Sequence, residues 1–396
     1  MKIAAIIAEY NPFHNGHKYQ IDKIKEQGYS IIVLMSSSFT QRGEPAIVNK
    51  FLRSEMALRN GADLVLELPS IYCTSNAEIF AKGSVFILDS LNVVDNLFFG
   101  SENNLIELSE ITDLIIENKD YIDKKIKFEL NTGKSFLKAR EASYDFLNYN
   151  QIEMLKKPNN ILALEYLKAL GEFNSQIQPK SIKRKSVRHN SKITKAEFSS
   201  ASNIRNLILS GDLTSVEKFM PQSAFNILKN STYNNFNNYF DILKYIILKN
   251  DLKYSNYFDY ENGLENRFLN NLNSKDIYSF INSITSKRYT KSRISRLLVQ
   301  ILLDLDKFFI LKSFAKPYIR ILGSNEIGFN IIKEIKKENY IIEKFSNINK
   351  LPAESIIKQI ALKEKFSTNI YNIITNNNIN EDYFKNYIIL KKELGD

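Results

Sequence analysis

Four unbroken apolar runs punctuate the start of the chain: "KIAAIIAEY" (2–10), "SIIVLMSSS" (30–38), "DLVLELP" (63–69) and "NLFFGS" (96–101). Continuous aliphatic runs without polar alternation predict parallel strands covered on both faces. Helical segments separate them. One starts near His17, sets Ile21 and Ile24 on one face and stops at Gly28. Another, over 46–60, stops at Gly61, where a left-handed cap suits glycine. A third opens at "SNAE" (75–78), a capping-box pattern. Strands alternating with helices across short connections predict an α/β fold, a doubly wound parallel sheet.

From 104 to 175 the pattern turns mainly helical; Ala163, Tyr166, Leu167 and Leu170 line one face at helical spacing. "SIKRKSVRHNSKITK" (181–195) then carries six Lys or Arg and no acidic residue, and "SASNIR" (200–205) opens another helix. Beyond 215 Asn, Lys, Tyr and Phe rise and helical periodicity runs almost throughout, with few strand signals. The expected division is therefore a catalytic α/β domain over 1–215 and a mostly α-helical C-terminal domain over 216–396. No internal repeat stands out, and "ITNNNINED" (374–382) reads as a polar loop.

Composition narrows the function classes. The chain has 396 residues, 44% of them hydrophobic and 25% charged, the balance of a soluble globular protein. Cys73 is the only cysteine, so no internal disulfide exists. The first apolar run is cut by Glu9, too early for a signal peptide, and no uncharged stretch nears the roughly 18 residues of a membrane span. A cytoplasmic location is expected. Lys and Arg exceed Asp and Glu by 54 to 44, a formal charge of +10 that suits a polyanionic partner or merely solvates the surface.

The chemistry concentrates in "AEYNPFHNGHKYQ" (8–20). The chain has three histidines, and His14 and His17 both sit here, between the first strand and the first helix. Ligands of open α/β sheets bind beyond the carboxyl ends of the strands, and a helix N-terminus there attracts phosphate. Gly16 permits close approach, Pro12 stiffens the turn, and the two imidazoles can donate to oxygens that gain charge during phosphoryl or nucleotidyl transfer. A zinc site needs three or four ligands, and only carboxylates, Cys73 and the distant His189 could complete one, so no metal site is assigned. No G-x-x-x-x-G-K-[ST] motif occurs, which leaves the histidine loop as the phosphate-binding candidate.

This H-x-G-H resembles the signature of the nucleotidyltransferase superfamily related to class I aminoacyl-tRNA synthetases. With "EYNPFHNGH", "QRGEPAIVNKFLRSEMALRNGADLVLELP", "FGSE", "PNNILALEYLKAL" and "SASNIR", and less diagnostically "SRISRLL" and "PYIRILG", the chain resembles the bacterial tRNA(Met) cytidine acetate ligase family. The resemblance implies an enzyme that activates acetate with ATP as acetyl-adenylate, with Mg2+ expected on the nucleotide. It then acetylates N4 of the wobble cytidine of elongator tRNA(Met). It implies His14 and His17 as catalytic residues. The implied ATP contacts are Ile7, Ala8, Glu9, Tyr10, Asn11, Pro12, Phe13, His14, Asn15, Gly16, His17, Lys18, Tyr19 and Gln20, then Gly100, Asn159 or Asn160, Arg184, and Ser200, Ser202 and Arg205 of the serine-rich helix start. From the residues alone, Ser200 and Ser202 read first as plain N-caps.

Ser37 and Ser38 stand where the family usually has Gly then Asn, a departure on the acetate side of the site. Arg42, Lys50 and Arg53 are positive groups for acetate or RNA phosphate. In the C-terminal region Lys287, Arg288, Lys291, Arg293 and Arg296 crowd one helix whose Leu297, Leu298, Ile301 and Leu302 face inward, and Arg320 joins them as a tRNA contact. Two other classes stay open at this level: a small-molecule adenylyltransferase of the same superfamily, which leaves the helical region and the basic surplus unexplained, and a non-catalytic RNA-binding protein, which leaves the intact histidine motif unexplained. The partners expected are tRNA and acetate, with no membrane.

Overall fold

A computed structural model describes residues 1–134, 136–183, 198–249, 251–335 and 339–391. Eight strands are described: β1 (Ile3–Ala8), β2 (Ser30–Ser36), β3 (Leu64–Leu68), β4 (Asn96–Ser101), β5 (Gln178–Lys183), β6 (Ile319–Ser324), β7 (Ile341–Ile342) and β8 (Ile388–Ile389). They lie in the order β5-β4-β1-β2-β3-β6-β7, with β8 also on β6. The first five are parallel; Ile3 faces Ser30 and Ala8 faces Met35 across β1 and β2. The chain winds outward from β1 through β2 and β3, then restarts on the other side with β4. That reversal opens a crevice between β1 and β4 at their carboxyl ends.

Apolar side chains of successive strand residues feed two separate cores. Ala5, Ile32, Leu34, Leu66, Leu97 and Phe99 face one, while Ala4, Ile6, Ile31, Val33, Val65 and Phe98 face the other. Helix α1 (Asn15–Lys25) buries Ile21 and Ile24 in the second core, as their spacing predicts. Helix α2 (Lys50–Arg59) begins later than the pattern suggests. Residues 46–49 stay outside the helix: Ala46 N–H donates to Ser38 O (3.0 Å), Ile47 and Val48 bend, and Asn49 takes the N-cap. The "SNAE" start shifts by one residue. Ser75 donates its hydroxyl back to Ile71 O (2.8 Å), so Asn76 caps Ala77–Leu91 through Ile79 N–H.

The C-terminal residues are mostly helical but do not pack as a body apart. Phe236, Leu297, Ile319 and Tyr371 share one continuous core with Ala5 and Leu66. β6 returns to the sheet and pairs antiparallel with β3. The expected division at 215/216 therefore does not divide the core or the sheet. Sequence pattern hid β6 because "PYIRILG" carries Arg320 at its centre, and a charge inside a fully buried strand is unusual. No helix among the described residues is long and apolar enough to cross a membrane.

The compensation for Arg320 lies under β3. Its Nη1 is 3.2 Å from Glu67 Oε2 and 2.9 Å from Asp382 Oδ1. Lys50 Nζ sits 2.6 Å from Glu67 Oε1, 2.8 Å from Asp382 Oδ1 and 2.9 Å from Thr368 Oγ1, with Glu364 Oε1 at 3.8 Å. All five charges are buried. Two expectations fall here: Lys50 and Arg320 are interior ions and are not RNA contacts. Three carboxylates against two cations leave one negative charge in excess. Burial, and then the Glu67 charge, push the Glu364 carboxyl up to about 7. Burial works the other way on Asp382, but Arg320 and Lys50 outweigh it and bring that carboxyl down to about 2.

A carboxyl whose folded pKa exceeds its unfolded value holds its proton more tightly in the fold. Ionising Glu364 thus costs stability as pH climbs from about 4.5 to about 7, by about 3 kcal/mol at most. Asp382 contributes in the opposite sense, and its stabilisation is lost only as pH falls from about 4 towards 2. Urea midpoints measured between pH 5 and 8 are expected to fall for the wild-type chain. Glu364→Gln should flatten that slope, and an unchanged slope in the variant refutes the assignment.

Candidate active site

The crevice between β1 and β4 is walled by the segment that leaves β1. Ile7 and Ala8 end the strand half-buried, and Glu9 follows. Tyr10 takes a left-handed backbone (φ 45°), a turn that costs a non-glycine residue on the order of 1 kcal/mol and is held by its surroundings. The Asn11–Pro12 peptide is cis. Asn11 Oδ1 accepts from Ile47 N–H (2.7 Å), and Asn11 O accepts from Arg205 Nη1 (3.0 Å). The rings of Tyr10 and Phe13 meet edge-on at 4.8 Å and both are buried.

This anchored loop delivers the two histidines. His14 is the N-cap of α1: its Nδ1 accepts from Gly16 N–H (3.0 Å), while its own N–H donates to His17 Nδ1 (3.2 Å). Two imidazoles thus do the work of a capping box. They stack with centroids 3.7 Å apart and planes 14° from parallel. With each Nδ1 engaged as an acceptor, the neutral rings carry their proton on Nε2, so both present Nε2–H donors. Gly16 is required for a local reason: a Cβ there would lie 2.8 Å from His14 Cε1. Asn15 N–H is taken by Phe219 O (2.9 Å), which docks α1 on the following helices. Lys18, Tyr19 and Gln20 occupy the next turn, half-buried, with Lys18 paired to Asp22.

Arg53 fastens the strand ends around this site. Its side chain is fully buried, and its guanidinium donates to Val48 O (3.1 Å), Glu9 O (2.6 Å), Ser36 O (2.9 Å) and Ser37 O. The ends of β1 and β2 are thereby lashed together. Arg53 is a scaffold for carbonyls rather than a surface cation. Ser37 and Ser38 are both buried; Ser37 Oγ lies 3.0 Å from Ser70 Oγ, and Ser70 N–H donates to Glu364 Oε2 (2.7 Å).

The loop after Ser38 reaches both sides of the site. Gln41 N–H donates to Glu9 Oε1 (2.8 Å), and Glu44 lies 3.4 Å from Arg205. Arg205 therefore holds the loop. Gly43 (φ 75°) passes so close to the helix Lys291–Leu303 that a Cβ would be 2.2 Å from Arg296 N. Arg42, between them, is exposed and has no ion pair among the described residues. Gly100 ends β4 beside Ile182 of β5. The next residue pair clamps the helix Pro158–Glu172: Glu102 Oε1 accepts from Asn159 Nδ2 (2.5 Å) and Asn160 Oδ1 accepts from Glu102 N–H (3.1 Å). Asn160 is fully buried and its Nδ2 donates to Asn103 Oδ1 (3.0 Å) and Met154 O (3.2 Å), so its amide is consumed by the fold. Asn159, half-buried, is the asparagine nearer the crevice surface.

Ser200 caps Ala201–Leu209, accepting from Asn203 N–H (3.2 Å), with Ser202 Oγ 3.1 Å away. Arg184 and His189 lie outside the described residues, as does most of the basic run 181–195. On the helix Lys291–Leu303, Arg296 forms a bidentate pair with Asp259 (2.8 and 3.1 Å), and Arg293 reaches Asp259 O (3.0 Å) and Glu261 (3.3 Å). Arg288 pairs with Glu261 while half-exposed. Lys287 and Lys291 are exposed without an ion pair among the described residues. The sequence pattern conceals these acidic partners, because each stands more than 25 residues upstream of its arginine.

Comparison with known proteins agrees with this geometry. A family model described as HIGH Nucleotidyl Transferase matches residues 1–386. The tRNA(Met) cytidine acetate ligase of Thermoanaerobacter sp. (strain X514) is 42% identical over 392 residues, covering 95% of this chain and 96% of that protein. Its counterpart from Clostridium perfringens (strain SM101 / Type A) is 37% identical and covers 99% and 100%. The crystal structure of Thermotoga maritima TmcAL in its apo form superposes with a TM-score of 0.91 at 32% identity, covering 99% of this chain and all of that one. The same protein bound with alpha-thio ATP gives a TM-score of 0.88. With a histidine-capped helix at the reversal of a doubly wound sheet and full-length similarity on both counts, the chain belongs to the tRNA(Met) cytidine acetate ligase family of HIGH nucleotidyltransferases.

Proposed function

We propose that this chain activates acetate with ATP and transfers the acetyl group to N4 of the wobble cytidine of elongator tRNA(Met). The observation that carries the chemistry is the stacked His14–His17 pair, whose two Nε2–H donors stand at the head of α1. Acetate attack on the α-phosphate builds negative charge on its oxygens and expels pyrophosphate. Donors fixed in advance stabilise that charge without reorganisation. The alpha-thio ATP bound by the Thermotoga maritima relative supports a nucleotide site here, along residues 7–20 and Gly100. Mg2+ would ride on the phosphates with its own waters; the described residues include no group of three or more His, Cys, Asp or Glu placed to hold it.

For tRNA, the exposed cations are the support: Arg42 on the loop over the site, and Lys287 and Lys291 at the start of the helix against which that loop packs. They form a cationic approach to the crevice. Such contacts steer a polyanion and make its affinity salt-dependent. A tRNA substrate also fits an enzyme of the cytoplasm, where tRNA is used.

The central test is release of pyrophosphate from ATP plus acetate, and passage of labelled acetate into tRNA(Met) without acetyl-CoA. Label that enters only from acetyl-CoA overturns the reading. His14→Asn keeps an N-cap acceptor but removes the Nε2 donor. Acetyl-adenylate formation should fall about 10²–10³-fold with little change in ATP affinity. A variant that adenylates at the wild-type rate disproves the catalytic role. Replacing Arg42, Lys287 and Lys291 by Ala should lower the log–log salt slope of tRNA binding by about one for each phosphate no longer neutralised. An unchanged slope moves the RNA surface elsewhere.

A further inference from the structure

Acetyl transfer needs a proton acceptor as well as donors. When the exocyclic N4 of cytidine attacks the acetyl carbonyl of acetyl-adenylate, an N–C bond forms and the C–O bond to phosphate breaks. The electron pair leaves with AMP, and N4 must shed one proton. The histidines are poorly suited to take it, because each Nδ1 already accepts a backbone N–H and each Nε2 carries a hydrogen. We infer that Glu9 is the general base of the transfer step, receiving the N4 proton on its Oε2 and passing it to solvent; the inference rests on the function proposed above.

The support is geometric and proceeds by elimination. Glu9 is the first residue beyond β1, at the mouth of the β1–β4 crevice, and is held from both ends. Its carbonyl accepts from Arg53 Nη1 (2.6 Å), and its Oε1 accepts from Gln41 N–H (2.8 Å). Its Oε2 accepts no hydrogen bond and makes no ion pair among the described residues. The carboxylate is near enough to the helix Pro158–Glu172 for its charge to bear on Tyr166. Burial, and then the Glu9 charge, push the Tyr166 hydroxyl well above its ordinary value, and the Tyr166 ring lies 5.7 Å from that of Phe99 on β4. The other carboxylates at this end of the sheet are committed. Glu44 pairs with Arg205 through Oε2 and sits on the loop rather than at a strand end, both oxygens of Glu102 hold Asn159 and Asn160, and Glu67 and Glu364 belong to the buried ion cluster. A base must also reach its proton with little motion. Glu9 combines a position fixed at the end of β1 with an uncommitted oxygen.

Two half-reactions separate this role from others. Acetate-dependent exchange of pyrophosphate into ATP, without tRNA, reads adenylation. Single-turnover passage of label from enzyme-bound acetyl-adenylate to tRNA(Met) reads transfer. Glu9→Gln retains an oxygen for Gln41 N–H but cannot take a proton. Transfer should fall about 10²–10⁴-fold, and at least about tenfold more than exchange, which Glu9 also touches as part of the nucleotide site. Glu9→Asp, which keeps a carboxylate on a shorter arm, should recover part of the transfer rate. Equal losses in both half-reactions, transfer within about threefold of wild type in Glu9→Gln, or no recovery in a folded Glu9→Asp protein would each overturn the inference. Failure of the wild-type enzyme to label tRNA at all would instead overturn the proposed function, and this inference with it.

Discussion

Two parallel strands that end side by side leave carbonyls pointing into the same space, and in this protein Arg53 answers them. Four carbonyl oxygens from three chain segments converge on one guanidinium that has no carboxylate partner among the described residues. Burial pushes its pKa down to about 10, which leaves it charged at neutral pH. The carbonyl dipoles stand in for a counter-ion. Everything chemical hangs from the ends this side chain joins: Glu9 and the histidine loop on β1, and the serine-lined turn on β2. A strand pair held only by its ladder would fray at this point, and the histidines would inherit the motion.

The sheet and the histidine loop were legible because their signals are local. Continuous apolar runs report burial on both faces, and a glycine between two histidines reports a tight turn into a helix. What the residues touch over long range was not legible. Lys50 and Arg320 look like surface charges in a basic chain, yet each is matched by Glu67 and by Asp382, from opposite ends of the sequence. Arg293 and Arg296 lie on a helix whose other faces are apolar, so periodicity sent them to solvent. Asp259 and Glu261 draw them back. One hint was present in the chain. Lys50 and Arg53 are three apart, and on a helix they share one face with Ser54 and Ala57, which is too small and mixed to be a solvated stripe.

The C-terminal helices act on the site through the same loop that binds Glu9. Gly43 touches the helix Lys291–Leu303, Tyr371 donates its hydroxyl to Ala46 O (2.9 Å), and Asn234 N–H donates to Ile47 O (2.8 Å). Three elements from the far half of the chain thus set the conformation of the segment between β2 and α2. The histidine loop and the helix Lys291–Leu303 are parts of one packed unit, and neither can shift without moving that segment.

The return of β6 has a consequence for how the chain is born. β3 leaves the ribosome roughly 250 residues before its antiparallel neighbour, a wait of roughly 10–50 s at ordinary rates of synthesis. Throughout that interval β3 is an open edge, the kind of surface on which nascent chains on one message pair with each other. Within "LVLEL" Glu67 places a charge on that edge strand, and charges on an edge oppose pairing with other chains. The strand that finally covers the edge brings Arg320, a second cation beside the Lys50 already paired with Glu67, so the edge closes only on a strand that adds to this ion cluster.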